Sequence, residues 1–227
     1  MPRRPRVSTT GLYFHVVNRA AKRVPLFEHE ADYAAFERVM IEAVHRIRVA
    51  VFAYCLMPNH WHLVLSPSED GNLSRFMHWL TTTHARRWQT TRRLDGQGAV
   101  YQGRFKAIAI KNDDHFLWVC RYVERNALRA SLVSRAEDWR WSSLHYRCHT
   151  EGEWLSAWPV LPTEDWLTWV NTPQTSHEID AFKLAMRTGD PFGDQSWREQ
   201  VRCSLGLKAP RGRGRPSRTG GTTVLNK

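Results

Sequence analysis

The stretch "VAVFAYCLMPNHWHLVLSP", Val49 to Pro67, is where the fold is set. Two runs of aliphatic and aromatic residues flank Pro58-Asn59, a pair suited to a turn and poorly suited to a strand interior. The reading is two strands joined at that turn. Residues i and i+2 of a strand point to the same face. His60 and His62 therefore stand side by side on one face, while Trp61, Leu63 and Leu65 turn to the other face as core. Imidazoles inside an aliphatic strand need partners. Two neutral imidazoles so placed are a common start for a divalent-metal site with positions left open for substrate oxygens. Two strand histidines hydrogen-bonded to their neighbours are the plainer alternative, and H-x-H alone does not choose.

On the N-terminal side, "GLYFHVVNR" (11–19) alternates as a strand, and Tyr33, Phe36, Met40, Val44 and Ile47 recur at helical spacing within 28–47. On the C-terminal side, Asn72 is suited to cap a helix running to about Arg92, with Leu73, Phe76 and Leu80 inward. "LDGQG" is a loop, "RFKAIAIKN" a fourth strand, and a further helix begins near Asp113, whose carboxylate suits a helix N-terminus. The order β-α-β-β-α-β-α predicts an α+β fold: a four-stranded antiparallel sheet with helices on one face and the other face free. Beyond Thr150 the composition turns acidic and Trp-rich, with "AWPVLP", "NTPQTS" and "GDPFGD" as breakers. The expected division is a domain over 1–149, a small helical C-terminal extension over 150–207, and a disordered basic tail over 208–227.

The 227 residues carry a net charge of +11, unevenly placed. Arg3, Arg4 and Arg6 lie in an acid-free N-terminus, and six Lys/Arg lie without an acid in 208–227. From His84 to Lys111, Arg86, Arg87, Arg92, Arg93, Arg104, Lys106 and Lys111 face only Asp95. Such a distribution points to a polyanion partner, a solvated basic surface being the bland alternative. Eleven tryptophans offer core volume and surfaces on which bases could stack. The four cysteines are scattered with no C-x-x-C, no apolar run approaches the roughly 20 residues of a membrane span, and the N-terminus lacks the apolar stretch of a signal peptide. The expectation is a cytoplasmic, nucleoid-associated protein with no membrane partner.

A second constellation lies in "CRYVERNALRA". On a helix, Tyr122 and Asn126 are four apart and share a face, with Trp118, Arg125 and Arg129 near it, while Phe116, Val119, Cys120 and Val123 form the buried stripe. A phenol beside arginines, with a metal nearby, supplies the parts for covalent attack on a phosphodiester. An amphipathic tyrosine at a helix margin is the other reading. Tyr101, in "YQGRF", is a second candidate tyrosine.

The blocks "MPNHWHLVL", "YQGRFKA", "RYVERNALRASLV" and "WRWSS" together resemble the signature of the REP-associated tyrosine transposases, bacterial HUH-class single-tyrosine enzymes. The resemblance spans roughly 9–147, with "GDPFGDQSW" extending it more loosely. It implies a ferredoxin-like fold and cleavage and rejoining of single-stranded DNA through a 5′-phosphotyrosine. By the same resemblance Tyr122 is the nucleophile, His60 and His62 bind Mg²⁺ or Mn²⁺, and Asn126 is the third ligand, where related transposases often have glutamine. Palindromic hairpins with a short flanking sequence are the implied partners, bound by a monomer or homodimer. Arg125 and Arg129, with the seven central cations, are candidate DNA contacts; so are Arg213 and Arg215, whose "RGRP" resembles a minor-groove hook. A hairpin-binding protein that does not cut is the runner-up.

Overall fold

The computed structural model describes residues 10–21, 25–150 and 154–207. The expected disorder of 208–227, and with it Arg213 and Arg215, lies outside them. Four strands, β1 (Tyr13–Arg19), β2 (Val49–Met57), β3 (His60–Pro67) and β4 (Lys106–Ile110), form one antiparallel sheet in the order β2-β3-β1-β4. The turn at Pro58-Asn59 is pinned: Asn59 O accepts from Ala20 N, and Pro58 O from Leu26 N and Phe27 N. With α1 (Glu30–Arg46) and α2 (Asn72–Arg92) on one face, this is the ferredoxin-like arrangement expected from the element order.

That first face is an aromatic-rich core. Trp61, Leu63 and Leu65 of β3 and Val16 of β1 are fully buried against Phe36 and Met40 of α1 and Phe76 and Leu80 of α2. Asn72 is not the cap expected of it. Gly71 takes that place in a left-handed conformation (φ 84°), which an asparagine enters less readily. Asn72 is the first helical residue, and its amide donates to Arg48 O.

The second face is not free, which corrects the expectation of helices on one side only. β2 is apolar on both sides. A bulge at Phe52 reverses its alternation, so Val51 and Tyr54 face the first core while Phe52, Ala53, Cys55 and Met57 face the second. A strand apolar on both sides has to be covered on both. The cover is α3 (Asp114–Glu124), capped by Asp113 accepting from His115 N, together with α7 (Ser176–Thr188), whose Phe182 and Ala185 enter the same core. Helix α3 accordingly has no exposed side: every residue from Phe116 to Glu124 is buried, not only the expected stripe. After a break at Arg125 the chain makes the short α4 (Asn126–Arg129).

The edges of the sheet are covered as well. "WRWSS" lies along β2: Trp139 Nε1 donates to Leu56 O, Leu56 N to Trp141 O, and Tyr54 N to Ser143 Oγ, just before and within α5 (Ser143–His149). On the far edge Phe192 exchanges backbone hydrogen bonds with Ala109 and Lys111. Helices α6 (Trp166–Asn171) and α8 (Gln195–Ser204) complete the described chain. Among the described residues no helix is long and apolar enough to cross a membrane.

Candidate active site

One end of the second face stays open as a cleft of about 880 Å³. The pairing register builds its floor. His60 lies opposite Arg19, His62 opposite Val17, and Val17 opposite Lys106, so these side chains share the face that β3 shares with β1 and β4. His15, two residues before Val17 and paired with Val64, is on the same face and diagonal to His62. Tyr122 of α3 closes one wall, Gln102 and Arg104 another, and Lys183, Met186 and Arg187 of α7 a third.

The three imidazoles form a chain. His15 Nε2 lies 2.9 Å from His62 Nδ1, with the rings stacked at 5.0 Å, and His15 Nδ1 lies 2.9 Å from Met186 Sδ. His60 packs edge-on against His62, and its Nδ1 lies 2.7 Å from Asn59 Oδ1. Burial holds all three in the neutral form. It brings His15 down to about 3, aided by the Arg129 charge, and His60 to about 4, aided by Arg19 and Arg129. His62 falls well below the ordinary imidazole value from burial first and the neighbouring imidazoles second. Neutral imidazole is the ligating form.

The Tyr122 ring stands edge-on to His62 at 6.0 Å, stacked on Trp118 and packed against Phe182. The Arg129 guanidinium lies 4.0 Å over its centroid. Among the described residues its hydroxyl makes no hydrogen bond, so the oxygen is not tied up. Tyr101 is elsewhere. It is buried on the first face, where its hydroxyl lies 2.7 Å from His84 Nδ1 and receives Trp61 Nε1–H at 3.3 Å.

Asn126 is near Tyr122 but not in the cleft lining. It is buried, its Oδ1 accepts from Arg129, and its Nδ2 has no partner. Its oxygen is therefore engaged, whereas His60 and His62 offer ring nitrogens at the cleft. Among the described residues no three His, Cys, Asp or Glu side chains gather as a closed ligand set. Two imidazoles with open positions suit an ion that also takes substrate oxygens.

The predicted cations separate into two groups. Arg104 and Lys106 are exposed at the cleft. Arg104 also rims an adjoining groove of about 730 Å³ that Arg86 lines from α2. Arg93, in a left-handed conformation just past α2, is exposed. The others are engaged within the protein. Arg87 makes a two-point ion pair with Glu42, and Arg92 pairs with Asp32 at 2.7 Å while stacking on Trp88. Lys111 holds Asp113 and Asp194, and Arg125 donates to Val170 O and Asn171 O. Arg129 is held between Tyr122 and Asn126.

Sequence reasoning passed over His15, Arg19, Lys183, Met186 and Arg187. For the first two a signal exists: alternation in "YFHVVNR" puts Tyr13, His15, Val17 and Arg19 on one face. For the α7 residues none does, because only the tertiary fold lays α7 across the cleft.

A family profile described as "Transposase IS200 like" matches residues 8–126. No curated protein matches the chain. Among solved structures, a REP-associated tyrosine transposase bound to a REP hairpin is 20% identical, with TM-score 0.53 over 69% of this chain and 90% of that one. This is a likeness of fold. A structure from Deinococcus radiodurans R1 described as a transposase is 16% identical over 54% of this chain and 96% of that one, with TM-score 0.40, too distant to bear on the site. The family match spans β1 to the end of α3, the segment that builds the histidine face and carries Tyr122, and the chain belongs to the IS200-like transposase family, enzymes of DNA strand transfer.

Proposed function

We propose that this transposase nicks and rejoins single-stranded DNA at hairpin-forming palindromes of the REP type, with Tyr122 as nucleophile and a divalent ion required. One observation carries the reading: the Tyr122 ring, with an uncommitted hydroxyl, stands against His62 at the mouth of a cleft rimmed by Arg19, Arg104, Lys106, Lys183 and Arg187. The narrower assignment draws on the signature blocks and on the hairpin bound by the structural relative.

His60 and His62 would hold Mg²⁺ or Mn²⁺, which would supply Lewis acidity to the scissile phosphate. The cleft cations neutralise and orient the phosphates either side of the scissile bond. Tyr122 Oη attacks phosphorus and its proton passes to solvent. The bond to the 3′-oxygen breaks, and that oxygen leaves as a hydroxyl after taking up a proton. The product is a 5′-phosphotyrosine. Phenolate, whose conjugate acid has a pKa of about 10, is a better leaving group than hydroxide, whose conjugate acid has one of about 15.7, so a 3′-hydroxyl can displace the tyrosine and reseal without a nucleotide cofactor. The Arg129 guanidinium over the ring sets a positive charge beside the group that departs on resealing. In this reading 1–149 is the catalytic portion and 150–207 an extension that lends α7 to the cleft wall.

The test is incubation of the full chain with folded and unfolded single strands carrying REP-type palindromes, with Mg²⁺, with Mn²⁺ and with chelator. Metal-dependent nicking with a covalent adduct on Tyr122 is expected. Tight hairpin binding without cleavage under any metal would instead establish the non-cutting alternative.

A further inference from the structure

His62 has two ring nitrogens, and only one of them can face the cleft as a bare lone pair. What decides which nitrogen carries the proton is the other end of the imidazole chain. A thioether sulfur has no proton to give, so the contact between His15 Nδ1 and Met186 Sδ at 2.9 Å requires Nδ1–H on His15. His15 is wholly buried, and its ring nitrogens meet Met186 and His62 and no carboxylate, so a charge there would have no counter-ion. The ring is therefore neutral and its Nε2 is a lone pair. The 2.9 Å contact between His15 Nε2 and His62 Nδ1 then takes its proton from His62. Nε2 of His62 is left unprotonated.

We infer that Met186 and His15 are positioning residues that fix His62 as the Nδ1–H tautomer, so that its Nε2 is kept bare at the cleft. Free imidazole side chains favour the opposite tautomer, with the proton on Nε2, which would block that nitrogen as a donor of electrons. The arrangement joins three distant parts of the chain, since Met186 is on α7, His15 on β1 and His62 on β3. His60 is set in the same sense by a local partner, with Nδ1 at 2.7 Å from the amide oxygen of Asn59. Partners behind a ligating imidazole orient it and raise its basicity, and their removal typically lowers metal affinity by about 10–100-fold.

What the lone pair serves rests on the metal reading above; the tautomer itself does not. The measurement is a long-range proton–nitrogen correlation spectrum of the metal-free full chain, labelled with ¹⁵N-histidine, at neutral pH. His62 and His15 are each expected to show a protonated Nδ1 and an unprotonated Nε2. His15→Phe keeps a ring against Phe182 but removes the acceptor, so His62 should move its proton to Nε2 and Mn²⁺ affinity, read by spin resonance, should fall about 10–100-fold. Met186→Leu keeps the volume and removes only the sulfur; both rings should show mixed tautomers, with a smaller drop in affinity, and this variant serves if His15→Phe fails to fold. A parent protein with the proton on His62 Nε2 would overturn the inference, as would an unchanged His62 pattern in both variants. The expected tautomers in a parent that binds no Mn²⁺ would sink the metal reading and leave the relay standing.

Discussion

Each face of the sheet buries a histidine beside a tyrosine. On the first face Tyr101 sits among His84 and Trp61 with its hydroxyl engaged on both sides, donating to one and accepting from the other. On the second, Tyr122 sits beside His62 and His15 with its hydroxyl uncommitted and the His60 and His62 edges turned to a cleft. Residue types and burial are alike, and the difference is closure. A polar cluster whose bonds are all made inside the protein holds the fold together and has nothing left for a substrate. One that ends in open valences at a cleft costs stability and can do chemistry.

The largest divergence between activity and stability should come from the two phenols. Tyr122→Phe keeps the ring on Trp118 and under Arg129 and orphans no partner, so unfolding should change by about 0.5 kcal/mol or less while nicking and adduct vanish. Tyr101→Phe should do the reverse. Trp61 Nε1 and His84 Nδ1 lose their partner at a cost of about 1–3 kcal/mol, and adduct still forms. Peptide mapping of the adduct decides it, and DNA attached at Tyr101 would end the distinction between the faces.

Adjacent residues of β3 offer the same contrast. Trp61→Ala, on the closed face, should cost about 3–5 kcal/mol. His60→Ala, on the open one, should leave the melting midpoint nearly unmoved and abolish Mg²⁺- or Mn²⁺-dependent nicking. Melting curves run beside a Mn²⁺ titration of nicking check both, and undiminished nicking by His60→Ala would remove the histidine face from the chemistry.

A smaller effect separates free cations from engaged ones. Replacing Lys183 and Arg187 together by alanine should weaken single-strand binding and lower the slope of log affinity against log salt by about 0.7 for each phosphate no longer neutralised. Arg87→Ala removes a cation already neutralised by Glu42, and its salt slope should match the parent's. Equal slopes for all three proteins would mean that α7 does not reach the DNA.

Much of the first face was legible in the sequence. Alternation in β3 named Trp61, Leu63 and Leu65 as core, and helical spacing named Tyr33, Phe36 and Met40. The open face was half legible. The His60 and His62 pair is local, two residues on one strand, whereas His15 joins it only through the β1–β3 register, which depends on long-range pairing. The burial of α3 on all sides was hidden for a similar reason: the helices that cover its outer surface come some fifty residues later, and the "VAVFAYCLM" run was the one local sign that a second cover had to exist. The cations were the least legible. Composition places Arg87, Arg92 and Lys111 in a basic stretch, and nothing in their spacing reveals Glu42, Asp32 or Asp194 as partners.

The finest test of the closed cluster is its response to acid. Burial among aromatic rings brings His84 down to about 3, with the Arg92 charge adding to the effect. The unfolded chain titrates this group near 6.5, so between about 3 and 6.5 the unfolded state holds more protons than the folded one. Stability from keeping His84 neutral is therefore fully present above about pH 6.5 and declines as the pH falls below it, with a slope of at most about 1.4 kcal/mol per pH unit. His84→Gln retains an acceptor for the Tyr101 hydroxyl and removes the titration. Its stability at pH 7.5 should be lower, since an amide packs less well against Phe27 and Phe36, but its curve between pH 4 and 6.5 should be flatter than the parent's. The buried imidazoles of the open face titrate in both proteins and cancel in the difference. Denaturant unfolding across that range supplies the measurement. Parallel curves would mean that His84 already meets solvent protons, and the first face would then be no more closed than the second.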